Sequence, residues 1–329
     1  MHAPVQEAYP ELWHYTTASG LHGILTSQEL WATNILFLND KEEFRGFFDQ
    51  KLKNLILDGV RNATVECNKT ENGKLALANK NGEDFLAGKW AEAQWIGISQ
   101  VTLSYPAYVT SFCYSPPDIG NDGLLSQWRG YGTDGGYALV FDTAELSRLI
   151  EYERNTFHYT IVHWGDVDYL NEDPHKEAVE WEDVIRQGVS EVIQMPGSDL
   201  FIPEHIGEKL LEPIFCLATR HKHRGFREER EVRIVVVGMQ NEVIEEAVRR
   251  GDLREKKTVN FVPRKGKLVP YVALFDHLKR DGTGKLPIKR IVVGPHPEKE
   301  RRKQSVEMML AQLGYPAEVV TSDIPYIGS

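Results

Sequence analysis

The sequence predicts an α+β fold in a single domain spanning residues 1–329, and three observations carry that expectation. Runs rich in β-branched and aromatic residues come in blocks, with Glu231–Val237 the most β-branched of them. Helical periodicity fills the stretches between blocks and does not alternate strand by strand, which argues against regular βαβ units. No Gly-x-Gly-x-x-Gly or P-loop pattern follows any strand, so a Rossmann or nucleoside-triphosphatase fold has no support.

Taken in order, Leu12–Thr17 reads as a strand, and Ser19 as the cap of a helix with Leu21, Ile24 and Leu25 on one face. Leu30–Thr33 is the second strand, and Asn39 or Asp40 stands ahead of a helix beginning at Lys41. Residues 62–80, polar and rich in Asn and Lys, read as a loop, and helical spacing returns over 83–98. Strands follow at Ala107–Cys113 and Gly136–Asp142, joined by a Gly- and Asp-rich connection. Helical periodicity covers 143–153, 175–194 and 204–221, so helical insertions are expected at about 55–105 and 155–225. Glu231–Val237 is a central strand. Strands at Lys257–Val262, Tyr271–Leu274 and Ile288–Val293, a helix at Glu298–Leu313 and a strand at Glu318–Thr321 complete the chain.

Hydrophobic residues make up 41% and charged residues 26%, an ordinary globular balance that excludes wholesale disorder. No apolar run approaches the roughly 18 residues of a membrane span, and the N-terminus lacks the features of a signal peptide. Cys67, Cys113 and Cys216 are odd in number and lack C-x-x-C spacing, which points to a reducing compartment and a cytoplasmic location. The formal net charge of −10 excludes a uniformly basic footprint. Two local basic runs, Arg220–Arg224 and Lys299–Lys303, are explained by solvated helix ends.

Four motifs carry candidate chemistry. His14 lies on a strand, where one ring nitrogen can donate and the other accept, as a ribose clasp requires; a core histidine held by a backbone carbonyl explains it equally. Asn39 and Asp40 suit a site, although helix capping is a sufficient role for them. Ser126-Gln127-Trp128-Arg129-Gly130-Tyr131-Gly132 combines flat rings, a guanidinium and glycines in what reads as a loop, a density that favours a ligand site over the alternative, a glycine-rich hairpin with a Trp over the core. Alternation puts Glu229, Glu231 and Arg233 on one face of an apolar strand, which is costly unless they pair or line a cavity. No convincing metal-ligand set is present.

In this order the motifs His14-Tyr15-Thr16-Thr17, Leu38-Asn39-Asp40, Trp128-x-x-Tyr131 and Glu229-x-Glu231-x-Arg233 are similar to those of a bacterial family of uncharacterised domains, with a match running from about residue 12 to about residue 298. Their layout also resembles the His-Tyr-Glu pattern of ADP-ribosyltransferases. That resemblance implies a split, mixed or antiparallel sheet core with helical insertions, and NAD as substrate without a metal. His14, with Tyr15 and Thr16 beside it, would hold the NAD ribose. Tyr131, with Trp128 nearby, would stack on nicotinamide. Glu231 or Glu229 would engage the ribose 2′-hydroxyl, and Arg129, Arg233 or the cluster around Arg220 would meet the pyrophosphate. The implied partners are a macromolecular acceptor (nucleic acid or protein) and an antitoxin, in toxin–antitoxin or phage-defence biology and with no membrane role. A non-catalytic nucleotide- or partner-binding sensor on the same scaffold is the alternative.

Overall fold

The computed structural model describes residues 4–38, 46–69, 105–131, 135–169, 176–194, 204–282 and 284–325. Asn39, Asp40, the start of the helix expected at Lys41 and the helix expected over 83–98 lie outside the described residues.

The strands are β1 (Glu11–Thr16), β2 (Leu30–Asn34), β3 (Ala107–Cys113), β4 (Tyr137–Asp142), β5 (Tyr159–Asp166), β6 (Asp168–Tyr169), β7 (His221–Lys222), β8 (Glu231–Gly238), β9 (Val259–Arg264), β10 (Lys267–Leu274), β11 (Ile288–Val293) and β12 (Glu318–Thr321). All but β6 and β7 join one sheet in the order β12-β11-β4-β1-β3-β2-β10-β9, with β8 and then β5 added on β3. Within this sheet pairing is antiparallel except between β11 and β12, and the separate β6–β7 pair is parallel. The result is a mixed, largely antiparallel sheet in an α+β fold.

The sheet forks at β3. One edge of β3 pairs with β8 from Ala107↔Val237 to Cys113↔Glu231. The other edge is divided between two strands: β1 meets it at Trp13↔Cys113, and β2 at Thr33↔Val109 and Asn34↔Tyr108. Beyond Trp13, β1 therefore leaves β3, and two smaller sheets diverge on either side of the gap.

The main helices are α1 (Ala18–Ser27), α2 (Lys53–Cys67), α3 (Leu125–Tyr131), α4 (Thr143–Thr156), α5 (Lys176–Gln194), α6 (Glu204–Arg220), α7 (Asn241–Arg249) and α8 (Lys299–Leu313). On one sheet face, α2, α5 and α6 pack with Val109, Val235 and Val237. On the other, Leu21 of α1, Leu146 of α4 and Leu310 of α8 join Phe112, Leu139 and Val236. A smaller cluster holds Trp13, Tyr15, Cys113, Trp128 and Val140. β8 runs between β3 and β5 with Val232, Val235, Val236 and Val237 fully buried, each worth about 1.5–3 kcal/mol in apolar transfer. No helix among the described residues is long and apolar enough to cross a membrane.

Several expectations need correction. Thr17 caps α1 in place of Ser19, its Oγ1 accepting from Gly20 N at 3.2 Å, so the strand ends at Thr16. The supposed loop from residue 62 begins inside α2, whose polar side chains lie on its outer face. The insertion expected from about 155 opens with β5, a strand whose buried partner is β8. The Trp128 segment is a helix: Trp128 N and Gln127 N both donate to Leu124 O, closing a turn that the glycines do not interrupt. β9 and β10 form a longer hairpin than the sequence pattern indicates, and α7 went unread between two β segments.

Candidate functional site

The charged cluster begins at the first residue of β8. Cys113 of β3 stands opposite Glu231, and Trp13 of β1 opposite Cys113, so these three side chains share one sheet face. Ser111 and Arg233 follow on the same face by alternation. The carboxylate of Glu231 lies between the two apolar clusters of that face and is 5% exposed. Such a charge requires compensation.

Compensation comes from three directions. Arg233 Nε donates to Glu231 Oε1 at 2.8 Å and Arg233 Nη2 to Oε2 at 3.0 Å. Lys222 Nζ donates to the same Oε2 at 2.9 Å, and the Ser111 side chain adds a further hydrogen bond. Burial alone would raise the Glu231 carboxyl, but Arg233 and Lys222 override it and hold the group at about 2. Glu231 N donates to Tyr169 Oη at 3.0 Å, which fixes the start of the strand.

Glu229 reaches the same cluster by another route. It is the last residue of a 3-10 turn (Arg224–Glu229), and Arg230 between it and β8 is left-handed with φ 47°. The expected strand alternation therefore does not extend to Glu229. Its carboxylate converges because Lys222 Nζ donates to Glu229 Oε2 at 2.7 Å while holding Glu231. With its side chain 24% exposed, Glu229 is the more accessible of the two acids.

α3 brings Tyr131 to the rim. The helix packs between β1 and the 3-10 turn, and its entry is pinned from below. Leu124 N donates to Tyr15 Oη at 2.8 Å, and Trp128 Nε1 donates to Asp122 O at 2.8 Å. Gly123 permits this approach: its φ is 74°, and a Cβ there would stand 2.7 Å from Tyr15 Oη. Trp128 is 1% exposed and meets Tyr15 edge-on at 4.8 Å, so it belongs to the core and presents no free face. Tyr131 is half exposed; partial withdrawal from water, then the charges of Glu231 and Glu229, push its phenol up to about 12. Arg129 is exposed on the same helix, and Thr16 is half-buried at the end of β1.

His14 goes elsewhere. It lies one residue out of the Trp13–Cys113–Glu231 row, on the face shared with Leu139 and Phe112. Nδ1 donates to Ser111 O at 2.9 Å across the fork, and burial pushes the imidazole down, favouring its neutral form. A histidine held by a backbone carbonyl describes its environment. Trp13 and Tyr15, not His14, are the β1 residues facing the carboxylates' side.

Three groups at the site escaped the sequence reading. Lys222 sits in a basic run that reads as solvated, yet its side chain is only 10% exposed. It is placed by the two-residue pairing Asp168↔His221 and Tyr169↔Lys222, too short to leave a pattern. Ser111 and Tyr169 are ordinary strand residues in sequence. The two acids and two cations balance, and the partly exposed Glu229 carboxylate, near the exposed Tyr131 phenol, gives a set suited to hydrogen-bonding hydroxyls and stabilising positive charge.

For metal ions, Glu153, Asp276 and His277 place ligand atoms within 4.8 Å of one another. Lys257 Nζ lies 2.5 Å from Glu153 and 2.7 Å from Asp276, so an ammonium already supplies the cation there. A separate cavity of about 600 Å³ opens at the Gly238 end of β8, lined by Tyr108, Tyr159, Asn241 and Lys256 among others. None of the residues marked from sequence lines it.

Residues 127–234 match the family described as "Protein of unknown function (DUF2971)". The matched stretch contains Trp128, Tyr131, Lys222, Glu229, Glu231 and Arg233, and leaves out His14. No curated protein and no solved structure matches the chain.

Proposed function

We propose that this chain is an NAD-dependent ADP-ribosyltransferase-like enzyme that modifies a macromolecule, with Glu229 at the reacting ribose and Glu231 as its anchor. The observation that carries the reading is the convergence of Tyr131 with Glu229 and Glu231, from segments far apart in sequence. The forked sheet supports it as well, because a split core is what the transferase resemblance implies.

In this reading Tyr131 offers its ring to nicotinamide at the rim, and the open oxygen of Glu229 accepts the ribose 2′-hydroxyl. The bond between C1′ and the nicotinamide nitrogen breaks, its electron pair leaving with nicotinamide. The carboxylate offsets the oxocarbenium charge that develops. A lone pair of the acceptor then forms the new bond to C1′, and its proton passes to Glu229. Lys222 and Arg233 hold the acids in place; Arg129, exposed nearby, is the guanidinium open to the pyrophosphate. His14 takes no part. The setting implied by the resemblance, a cytoplasmic toxin or phage-defence effector with an antitoxin partner, belongs to the same proposal.

One observation favours a second reading. Glu231 is saturated by Arg233, Lys222 and Ser111, as in a site built for rigid binding, which fits a nucleotide-binding sensor. Incubating the protein with NAD and cell lysate, then seeking ADP-ribose adducts by mass spectrometry, separates the two. A mapped adduct supports the transferase; a rise in Tm with NAD left intact supports the sensor.

A further inference from the structure

The hairpin β9–β10 carries a feature that the carboxylate site does not use. Residues 256–274 contain five basic and no acidic side chains, in a chain of net charge −10. Lys257 is buried against Glu153 and Asp276. Lys256, Arg264, Lys265 and Lys267 are exposed and form no ion pair among the described residues. The two basic runs evident in sequence differ: Lys222 is bound by Glu229 and Glu231, Lys299 by Asp323 and Arg301 by Glu298.

Apolar residues occupy one face of the same hairpin. Register pairs Val259 with Val272, Phe261 with Pro270 and Pro263 with Leu268, so these side chains share a face. Phe261 is 61% exposed and Leu268 63%. At the tip, Lys265 and Gly266 make a left-handed turn that carries Arg264 and Lys267 on either side. At the base, Val259 and Val272 line the cavity of about 600 Å³, with Lys256, Tyr108 and Tyr159. Cavity and exposed ring follow one another on this face, and the Lys265-Gly266 turn closes its far end about 20 Å from the cavity; alternation roots Arg264 and Lys267 on the opposite face, so these two long side chains flank the end of the strip.

We propose that this surface binds single-stranded nucleic acid: phosphates at Arg264, Lys265 and Lys267, a base stacked on Phe261, and an unstacked base in the cavity. Charge selects a polyanion. The exposed ring and adjoining cavity select unpaired bases over duplex, whose bases are already stacked. The site lies on the opposite sheet face from Glu231, toward the Ala107 end of β3, and does not rest on the proposed transferase chemistry.

Fluorescence anisotropy with labelled single-stranded RNA and DNA of about 20 nucleotides, and with the matching duplex, tests the proposal. Single strands should bind more tightly than duplex. Replacing Arg264, Lys265 and Lys267 together by Gln should weaken binding at least tenfold and lower the salt slope by about 2, at roughly 0.7 per phosphate contact. Phe261→Ala should cost about tenfold on single strands and little on duplex. Unchanged Tm in both variants confirms that the fold is intact. Absence of oligonucleotide binding, wild-type affinity in the triple variant, equal binding of duplex, or preference for phosphatidylserine vesicles would each overturn it. Because only binding is read, failure here leaves NAD turnover at Glu229 untouched, and the reverse.

Discussion

Lys222 Nζ donates to Glu231 Oε2 at 2.9 Å, to an oxygen that already accepts from Arg233 Nη2 at 3.0 Å. Two cations on one buried carboxylate oxygen make Glu231 the fixed point of the cluster. Removing Glu231 strands Arg233 in the interior, which costs about 3–5 kcal/mol, whereas removing Lys222 leaves the Arg233 pair in place and costs about 1–3 kcal/mol. Glu231→Gln should therefore lower unfolding free energy more than Lys222→Met in urea titrations. The double variant should be destabilised by less than the sum, with a coupling of about 1–3 kcal/mol. Strict additivity would contradict the contact.

Tyr131 and Trp128 are three residues apart on α3 and should behave oppositely. Trp128 is wholly buried, so Trp128→Ala should cost about 3–5 kcal/mol. Half-exposed Tyr131 should tolerate Tyr131→Ala within about 0.5 kcal/mol. The same Tyr131 variant should weaken NAD binding about tenfold by calorimetry, as expected when an aromatic face is lost. Normal NAD affinity in that variant would remove the ring from the site.

Gly123 is the hinge of the α3 entry. Its φ of 74° and the 2.7 Å approach of a Cβ to Tyr15 Oη make Gly123→Ala unfavourable twice over. A loss of about 1–3 kcal/mol in thermal or urea unfolding is expected. Tyr15→Phe, which removes the acceptor for Leu124 N, should cost about 1–2 kcal/mol and loosen α3, read as faster amide exchange over 124–131.

Acid should unfold the protein in two stages. Burial first, then the charges of Lys51 and Arg233, push His221 down to about 4, so its folded form stays neutral when the unfolded chain takes up a proton. The stability that it contributes is complete above pH 6.5 and is lost as pH falls toward 4. Glu231, held at about 2, loses its contribution lower still, from about 4.5 downward. Each shift corresponds to about 3 kcal/mol. Unfolding free energy measured from pH 7 to pH 4 should fall, and His221→Phe should flatten that slope by about one proton. An unaltered slope would exclude His221.

Much of the architecture was legible because its signals are local. Ile234–Val237 could only be a buried strand, and Ile288–Val293 with Glu318–Thr321 declared themselves by β-branching. The acidic pair was legible too, since two carboxylates ahead of so apolar a strand demand partners. What compensates them was not: Lys222 arrives through a two-residue strand, and Ser111 through register on β3. His14 illustrates the limit of a motif. Its residue type fits a ribose clasp, but a one-residue offset on β1 places it across the sheet from Glu231, a matter of register that β1 alone cannot reveal. Tyr131 and Trp128 were both read as available rings, and only helix geometry separates the buried one from the exposed one.

The central claim is that the accessible acid acts on NAD while the buried acid holds the site together. Nicotinamide release from NAD by wild type, Glu229→Gln and Glu231→Gln, with Tm recorded on the same samples, tests it most directly. The account predicts release by wild type, a fall of at least about a hundredfold in Glu229→Gln at unchanged Tm, and a lowered Tm in Glu231→Gln. Wild-type protein that binds NAD without releasing nicotinamide, or a Glu229→Gln variant that releases it at the wild-type rate, would contradict it.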